Sequence, residues 1–301
     1  MMKILEEIQA LSGKNVYIKN KEALNKTLMN LTEGGLEKLQ VLSDFDKTIT
    51  KHHHNGVPHK SSFAIFSSIP SSMNNKEYQT IVQGLRKKYY PIELDPHLTV
   101  EEKIKHMEEW WSLSEKAIKG LKVTQEEIEE ACKASEPVLR DGCKDFFKSL
   151  NESNVPVLVF SAGCGDIVLT ILKQCGVYLP NVKVISNFLK YSEDGTILGF
   201  QDKLIHVFNK NEYALKNTDF FHVVSDRDNA IVMGDSLGDA NMAQGMEHCR
   251  NVLKIGLLYD HVEDSLPQYM DTFDIVLVDD QTMNVPKAIL DYIQEKTGSK
   301  P

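Results

Sequence analysis

The stretch that decides the fold is Val41-Leu42-Ser43-Asp44-Phe45-Asp46-Lys47-Thr48, in which an apolar run leads directly into two carboxylates. The run extends over Leu39–Ser43, and its length is typical of a buried strand in a parallel sheet. Two carboxylates one residue apart repel each other at the end of such a strand unless a cation lies between them. Asp-x-Asp alone is weak evidence for a site, because turns and helix caps also use it.

Similar apolar runs recur along the chain, and helical patterns separate most of them. The further predicted strands are Val155–Phe160, Val182–Ser186, Ala230–Gly234, Val252–Ile255 and Asp274–Val278. The predicted helices between or after them are Asp141–Leu150, Gly165–Gln174, Asp239–Gln244 and Val285–Lys296. This alternation predicts an α/β fold with a doubly wound parallel sheet, which binds its ligands at the carboxyl ends of the strands.

One interval, residues 59–135, shows helical patterns without a strand and is expected to form an inserted helical cap. Residues 1–58 and 136–301 are then the α/β core. The helices predicted in the cap are Lys76–Tyr90, Val100–Lys119 and Thr124–Ala134. Thr99 and Glu102 form a capping-box pattern at the start of the second of these helices. Since the insertion follows the first strand, it should cover the carboxyl end of that strand.

A run of three histidines precedes the cap, in His52-His53-His54-Asn55-Gly56. Its Asn-Gly pair is a hairpin signal. Neighbouring side chains in a hairpin point to opposite faces, so the three rings should not converge on a metal ion. A solvated loop is the better interpretation.

Bulk composition excludes several classes of protein. The 301 residues carry a net charge of −9, with 34 Lys and Arg among 43 acids, so no surface for a nucleic-acid polymer is expected. The five cysteines contain no CxxC pair, which argues against a disulfide framework or a zinc site. No signal peptide or membrane span is recognisable. We expect a soluble, cytoplasmic, monomeric protein.

Three further motifs follow predicted strands in a fixed order. Ser161-Ala162-Gly163 supplies a hydroxyl and backbone N–H groups just before a helix that begins near Gly165, an arrangement that suits a phosphate. Lys210 supplies a cation. Met233-Gly234-Asp235-Ser236-Leu237-Gly238-Asp239 repeats the opening pattern of a strand followed by two acids. Each motif is weak alone, but their common order at strand ends is a strong signal.

These motifs, DFDKTIT, FSAG, the lysine and GDSLGD, resemble the four signature motifs of the haloacid-dehalogenase superfamily. A closer resemblance runs through nearly the whole chain. The segments that carry it are Tyr89-Tyr90-Pro91-Ile92-Glu93-Leu94-Asp95-Pro96, Glu109-Trp110-Trp111, SNF, HVFNKNE and YMDTFDIVLVDD. They are similar to the cytosolic 5′-nucleotidase III family, which comprises pyrimidine 5′-nucleotidases and 7-methylguanosine phosphate-specific 5′-nucleotidases.

The resemblance implies a Mg²⁺-dependent hydrolysis of a nucleoside 5′-monophosphate. Asp44 would attack phosphorus to give a phosphoaspartate, and Asp46 would act first as acid and then as base. The Asp44 carboxylate, the Asp46 carbonyl and Asp235 would bind Mg²⁺, which prefers oxygen ligands. The remaining groups are expected to hold phosphoryl oxygens or to support the site from behind. They are Ser161, the Ala162 N–H, Lys210 and, behind them, Asp239.

The same resemblance assigns the base-binding residues to the cap. Trp111 and Phe63 are expected to stack on the base, with Ser114 one turn from Trp111, and Glu93 is expected to read the base edge. N7-methylguanine is positively charged, so two aromatic faces would add a cation–π attraction. A carboxylate can accept hydrogen bonds from guanine or from the cytosine amino group. In the family that the chain resembles, the methylguanosine-specific branch carries Trp at the Trp111 position and the pyrimidine branch carries Tyr. The resemblance therefore implies that Phe63 and Trp111 favour 7-methylguanosine monophosphate, with cytidine monophosphate as a second substrate.

Three alternatives stay open at this stage. The nearest is a pyrimidine-specific 5′-nucleotidase, and the next is a phosphatase of another small metabolite. A module that holds 7-methylguanosine without hydrolysing it belongs to a different class. The binding module would not need Asp44, Asp46, Lys210 and Asp235 together, so the presence of all four favours an enzyme.

Overall fold

The computed structural model describes residues 4–54, 56–95, 97–136, 138–211, 222–246 and 248–298. Within them the strands are β1 (Val16–Tyr17), β2 (Leu39–Ser43), β3 (His53–His54), β4 (Val57–Pro58), β5 (Val157–Cys164), β6 (Val182–Asn187), β7 (Leu189–Tyr191), β8 (Ile197–Phe200), β9 (Asn229–Gly234), β10 (Asn251–Leu258) and β11 (Ile275–Val278). The α-helices are α1 (Ile4–Glu7), α2 (Lys21–Gly34), α3 (Ser62–Ser68), α4 (Pro70–Met73), α5 (Lys76–Leu94), α6 (Val100–Ile118), α7 (Gln125–Ala134), α8 (Cys143–Glu152), α9 (Gly165–Gln174), α10 (Val262–Thr272) and α11 (Asn284–Thr297).

The central sheet has seven strands in the order β1-β11-β10-β9-β2-β5-β6. Strand β1 pairs antiparallel with β11, and the other neighbours are parallel. In β2, Val41 lies opposite Val157 of β5 on one side and Ile231 of β9 on the other. The chain adds β5 and β6 on one side of β2 and then returns to add β9, β10 and β11 on the other. The strand order therefore reverses at β2, where such sheets form a crevice for ligands.

Both faces of the sheet are buried, which explains why its strands are nearly continuous apolar runs. Val41 belongs to the larger hydrophobic cluster, together with side chains of α2, α8, α9 and α11. Leu42, one residue later, belongs to a second cluster on the opposite face. Successive side chains of a strand point to opposite faces, so β2 contributes to two cores.

The predicted strands and the doubly wound α/β fold are confirmed, with differences at the ends of elements. Strand β5 extends to Cys164, so the Ser161–Gly163 motif forms its end. The helix predicted over Asp239–Gln244 is wrong, because a short 3₁₀ helix, Leu237–Asn241, takes its place. Strand β1 and the β7–β8 hairpin were not predicted, since elements of two to four residues show too little periodicity.

The inserted region contains α3 to α7, and its described residues contain no strand. Helix α5 continues through Pro91 to Leu94, four residues beyond the predicted end. Pro91 lies in the last turn and lacks the N–H that would donate to the carbonyl four residues earlier, so the helix continues to Leu94 without this one hydrogen bond. The predicted capping box of α6 is confirmed, since Thr99 and Glu102 each accept a hydrogen bond from the other's backbone N–H. Helices α3 and α7 share the larger hydrophobic cluster with α9, whereas α5 packs against α6.

The histidine run forms the β3–β4 hairpin, although Asn55 at its turn lies outside the described residues. The prediction of a solvated loop is wrong for His52, which is buried and packs against Tyr259 with ring centroids 4.1 Å apart. His53 contacts the same ring at 4.7 Å. No helix within the described residues combines the length and the apolar character needed to cross a membrane.

Candidate active site

A cavity of about 900 Å³ opens at the carboxyl ends of β2, β5 and β9, with the inserted helices forming its opposite wall. All the site residues selected from the sequence line it. They are Asp44, Asp46, Phe63, Glu93, Trp111, Ser114, Ser161, Ala162, Lys210, Asp235 and Asp239. Residues up to 195 positions apart in the chain thus meet in one place, as the topology of a doubly wound sheet allows.

Lys210 lies between two carboxylates at the base of the cavity. Its Nζ donates to Asp44 Oδ1 in a short contact and to Asp239 Oδ1 at 2.8 Å. All three side chains are almost fully buried. Burial alone would lower the pKa of Lys210, but the charges of Asp239 and Asp44 outweigh it and raise the pKa. The lysine therefore remains a cation beside the proposed nucleophile.

The Asp46 carboxylate is held by a residue that the sequence analysis did not select. The Ser62 backbone N–H donates to Asp46 Oδ1 at 2.9 Å, and the Ser62 hydroxyl donates to Oδ2 at 2.6 Å. Burial raises the pKa of Asp46 to about 6, although the Ser62 hydrogen bonds act in the opposite direction. An acid with this pKa can give and take a proton near neutral pH.

Gly163 explains why the Ser-Ala-Gly motif ends in glycine. A Cβ atom at this position would lie 2.0 Å from Ser62 Oγ and 3.0 Å from Asp46 Oδ2. The Ser161 hydroxyl accepts a 3.0 Å hydrogen bond from the Gly163 N–H, which stabilises the backbone conformation of the strand end. The end of β5 and the start of α3 therefore pack closely around the Asp46 carboxylate.

Three carboxylates form the one group of metal-ligand type found among the described residues. Asp44, Asp235 and Asp239 each offer one oxygen, and these oxygens lie within 4.8 Å of one another. Burial and the nearby charge of Asp44 raise the pKa of Asp235 well above its usual range. A crowded set of buried carboxylate oxygens suits a hard divalent cation, which would relieve their repulsion.

Both carboxylate oxygens of Asp239 already accept hydrogen bonds from the protein. Its Oδ1 accepts from Lys210, and its Oδ2 accepts from the Ser236 N–H at 3.0 Å in a capping box. A Cβ at Gly234 would lie 2.1 Å from the Asp239 Cβ, so the strand end must be glycine for Asp239 to approach. With both oxygens in use, Asp239 is better suited to supporting Lys210 than to binding a metal.

The predicted base-binding side connects directly to the phosphate-side motif. The Trp111 Nε1 donates to the Ala162 carbonyl at 3.2 Å, and the Asn187 amide donates to the same oxygen at 2.8 Å. The Phe63 and Trp111 rings do not face each other as two parallel walls, because their planes are 84° apart at a centroid distance of 6.3 Å. A base can therefore stack on one of these rings and meet the edge of the other.

Trp110 packs within the helical region. It stacks on Tyr89, at 5.9 Å between centroids and 15° between planes. It also meets Trp111 edge to face at 4.9 Å, so it helps to orient that ring.

Glu93 lies at the end of α5, where a buried lysine stabilises the helix terminus. Lys103 Nζ donates to the Glu93 carbonyl at 2.9 Å. Burial raises the pKa of the Glu93 carboxyl to about 7, while the positive charge of Lys47 opposes this shift. Glu93 can thus be either a hydrogen-bond donor or an ionised acceptor near neutral pH.

Lys47 is a second residue that the sequence analysis missed. Its backbone adopts a left-handed conformation with φ of 64°, and its side chain lines the cavity. Burial would lower the pKa of Lys47, but the charge of Asp235 and of other acidic groups raises it. Its position directly after Asp46 was the available signal, because residues after a strand end enter the ligand crevice.

Comparison with known proteins identifies relatives over almost the entire length. The family model described as pyrimidine 5′-nucleotidase (UMPH-1) matches residues 47–294. The 7-methylguanosine phosphate-specific 5′-nucleotidase of Drosophila melanogaster is 44% identical over 294 residues, which are 97% of this chain and 91% of the relative.

Solved structures agree with the fold. The crystal structure of cytosolic 5′-nucleotidase IIIB bound to cytidine matches with a TM-score of 0.93 and 42% identity, covering 98% of this chain and 99% of that one. A probable phosphoserine phosphatase from Vibrio cholerae matches with a TM-score of 0.54 and 12% identity, covering 99% of this chain and 85% of that one. The latter shows similarity of fold alone, and the predicted haloacid-dehalogenase fold is confirmed.

Proposed function

Because this chain belongs to the pyrimidine 5′-nucleotidase (UMPH-1) family and is a phosphoric monoester hydrolase, we propose that it hydrolyses 7-methylguanosine 5′-monophosphate and cytidine 5′-monophosphate. The observation that carries the proposal is the hydrogen bond from Trp111 to Ala162, which joins the base-side helix to the motif beside Asp44 and Asp46. The relatives add support, since one is named for 7-methylguanosine phosphate and another was solved with cytidine.

In the proposed mechanism Asp44 attacks the phosphorus atom, and the bond from phosphorus to the 5′-oxygen breaks. Asp46 gives its proton to the departing 5′-oxygen, which its pKa of about 6 permits. A water molecule then attacks the phosphoaspartate, Asp46 takes a proton from that water, and Asp44 is released with inorganic phosphate. Ser62 keeps the Asp46 carboxylate oriented for both proton transfers.

The remaining phosphoryl charge is balanced by groups that are already in place. Lys210, Ser161 and the Ala162 N–H hold phosphoryl oxygens, and Asp239 fixes Lys210 from behind. Such groups are most effective when they need no rearrangement during the reaction.

We assign Mg²⁺ to the carboxylates of Asp44 and Asp235 and to the Asp46 backbone carbonyl. The fit rests on the carboxylate oxygens of Asp44 and Asp235, which lie within 4.8 Å of each other at the carboxyl edge of the sheet. Mg²⁺, when bound, neutralises phosphoryl charge and aligns the phosphate with the nucleophile.

Glu93, Phe63, Trp111 and Ser114 are proposed to bind the nucleobase. Ionised Glu93 can accept from guanine N1–H and N2–H₂ or from the cytosine amino group. The Trp111 face gains a cation–π attraction when the base is N7-methylated and positively charged. Residues 59–135 are proposed as the cap that carries this specificity, on a core of residues 1–58 and 136–301.

A specific observation favours pyrimidine-selective hydrolysis as the second candidate function. The Lys47 cation lies in the same cavity, and a positive side chain opposes a positively charged methylguanine more than it opposes neutral cytosine or uracil. We further propose that the protein acts as a monomer in the cytoplasm, on small nucleotides rather than on nucleic-acid polymers or membranes.

The test is phosphate release from 7-methylguanosine, cytidine, uridine and guanosine 5′-monophosphates, with Mg²⁺ or with EDTA, by the wild type and by Asp44→Asn. We expect Mg²⁺-dependent release that is fastest for the methylated guanosine and is lost in Asp44→Asn. Fastest release from cytidine or uridine monophosphate would establish the pyrimidine-selective alternative. Tight binding of the methylated nucleotide without release would instead identify a binding module.

A further inference from the structure

The β7–β8 hairpin, an unpredicted part of the α/β core, reaches across to the helix that carries Trp111. The Phe200 backbone N–H of β8 donates to Glu115 Oε1 at 3.1 Å. Glu115 follows Ser114 in α6, one turn beyond Trp111. The contact therefore joins the core to the base-side helix through a half-buried carboxylate.

Backbone hydrogen bonds make this connection continuous. The Gly120 N–H donates to the Ile197 carbonyl at 2.9 Å, and the Ile197 N–H donates to the Leu121 carbonyl at 2.8 Å. At Gly199 the backbone has a φ of +131°, and a Cβ there would lie 2.5 Å from Glu115 Oε1. The hairpin thus brings its backbone close to Glu115 where a larger residue would keep it away.

Aromatic contacts run from the hairpin to the proposed base site. The Phe200 ring meets the Phe63 ring edge to face at 6.3 Å and 81°, and Phe63 meets Trp111 in the same manner at 6.3 Å. Phe200 is 7% exposed and does not line the cavity, whereas Phe63 and Trp111 do. Phe200 can therefore affect a ligand through Phe63 without touching it.

We propose that Glu115 and Phe200 are positioning residues, which fix the orientation of Phe63 and Trp111 for the nucleobase. The inference rests on the proposed function and deepens it, since it adds specificity determinants behind the base-binding rings. A ring that is free to tilt loses stacking contact with a base, whereas the phosphate groups are held from the opposite side by Lys210 and Ser161. The effect should therefore fall on base binding rather than on phosphoryl transfer.

The experiment measures kcat and KM of Glu115→Ala, Glu115→Gln, Phe200→Leu and the exposed control Lys116→Ala on the same four nucleotides. In Glu115→Ala we expect KM to rise roughly fivefold to tenfold, with kcat within about twofold of the wild type. Glu115→Gln should recover most of this loss, because its amide oxygen can still accept from Phe200. Phe200→Leu keeps the backbone N–H but removes the ring edge, so it should reduce discrimination among the four nucleotides. Lys116→Ala should leave kcat and KM unchanged.

Thermal unfolding of each variant separates positioning from loss of structure. An unchanged KM and unchanged base discrimination in folded Glu115→Ala and Phe200→Leu would overturn the inference while leaving the proposed function intact. A large fall in kcat with unchanged KM would also overturn it, because the residues would then support the chemistry. Failure of the wild type to hydrolyse any nucleotide would instead remove the proposed function.

Discussion

Ser62 donates two hydrogen bonds to Asp46, from its hydroxyl at 2.6 Å and from its backbone N–H at 2.9 Å. The Ser62 hydroxyl also accepts from the Cys164 N–H at 3.2 Å, so one side chain joins the start of α3 to the end of β5. The inserted helical region therefore contacts the proposed reaction centre as well as forming the proposed base-binding wall.

Ser62→Ala should change the ionisation of Asp46. The Ser62 hydrogen bonds lower the Asp46 pKa against the larger effect of burial, so losing the hydroxyl should move it upward from about 6. We expect kcat to fall roughly tenfold and the limb of the pH–rate profile assigned to Asp46 to move to higher pH.

The matched control is Ser68→Ala in the same helix, whose hydroxyl donates to the Ile65 carbonyl. Its pH–rate profile should match that of the wild type. A Ser62→Ala profile that also coincides with the wild type would argue against a role for the hydroxyl in setting the Asp46 pKa.

Gly163→Ala should disturb the site, because the added methyl group would overlap with neighbouring side-chain atoms. The new methyl group would meet Ser62 Oγ at 2.0 Å, and moving Ser62 disturbs Asp46. We expect kcat to fall roughly a hundredfold and the free energy of unfolding to fall by about 1–3 kcal/mol.

Gly84→Ala is the matched control, because Gly84 lies in α5 with no atom within 4 Å of the added Cβ. It should keep full activity and stabilise the protein by up to about 1 kcal/mol, since alanine is the better helix former. Activity of Gly163→Ala close to that of the wild type would show that this close packing is dispensable.

Lys210→Met should remove the cation between two buried acids. Asp44 and Asp239 would then face each other without compensation, which typically costs about 3–5 kcal/mol in a buried pair. We expect kcat to fall roughly 10²–10³-fold and the denaturation midpoint to fall. Lys203→Met, at an exposed position nearby, serves as the control, and equal effects of both substitutions would contradict the assignment.

The buried His206 should make the free energy of unfolding depend on pH, independently of catalysis. Burial, with the charge of Lys203, lowers its pKa from 6.5 to about 4 in the folded protein. As the pH falls, the unfolded chain therefore takes up the proton first. The contribution of His206 to the free energy of unfolding is fully present above pH 6.5 and is lost as the pH falls towards 4. The contribution lost over this range should be about 3 kcal/mol.

Urea unfolding of the wild type and His206→Asn at pH 7 and pH 4.5 measures this contribution. The variant should lose less free energy between the two pH values, because asparagine does not titrate. His97→Asn, at an exposed position, should behave as the wild type. Identical pH dependence in wild type and His206→Asn would rule out the buried histidine as the cause.

Trp111→Tyr should reduce selectivity for methylated guanosine. A smaller ring gives a weaker cation–π contact, and the hydrogen bond from Trp111 to the Ala162 carbonyl is lost. We expect the ratio of kcat/KM for 7-methylguanosine over cytidine monophosphate to fall roughly threefold to tenfold. Trp110→Tyr, which alters the ring stacked on Tyr89, should change this ratio much less. An unchanged ratio in Trp111→Tyr would remove the basis of the proposed base preference.

The sequence by itself determined the sheet and the residues at its edge. Apolar runs and turn residues are local signals, so the strand ends carrying Asp44, Ser161 and Asp235 could be found from the chain alone. The order of the motifs also predicted that Asp44, Ser161 and Asp235 meet in one cavity, because parallel strands bring their carboxyl ends to one edge. The cap residues Phe63, Glu93, Trp111 and Ser114 were implied by the resemblance to a nucleotidase family.

Only the tertiary structure decided how these groups are held. The bonds from Ser62 to Asp46, from Trp111 to Ala162 and from Phe200 to Glu115 join residues 16, 51 and 85 positions apart. The perpendicular arrangement of the Phe63 and Trp111 rings depends on the same long-range packing. Periodicity reports which side of an element is buried, but it carries no information about which distant side chain meets it. The choice of partners and the angles between rings are set when the inserted helices and the β7–β8 hairpin pack against the core.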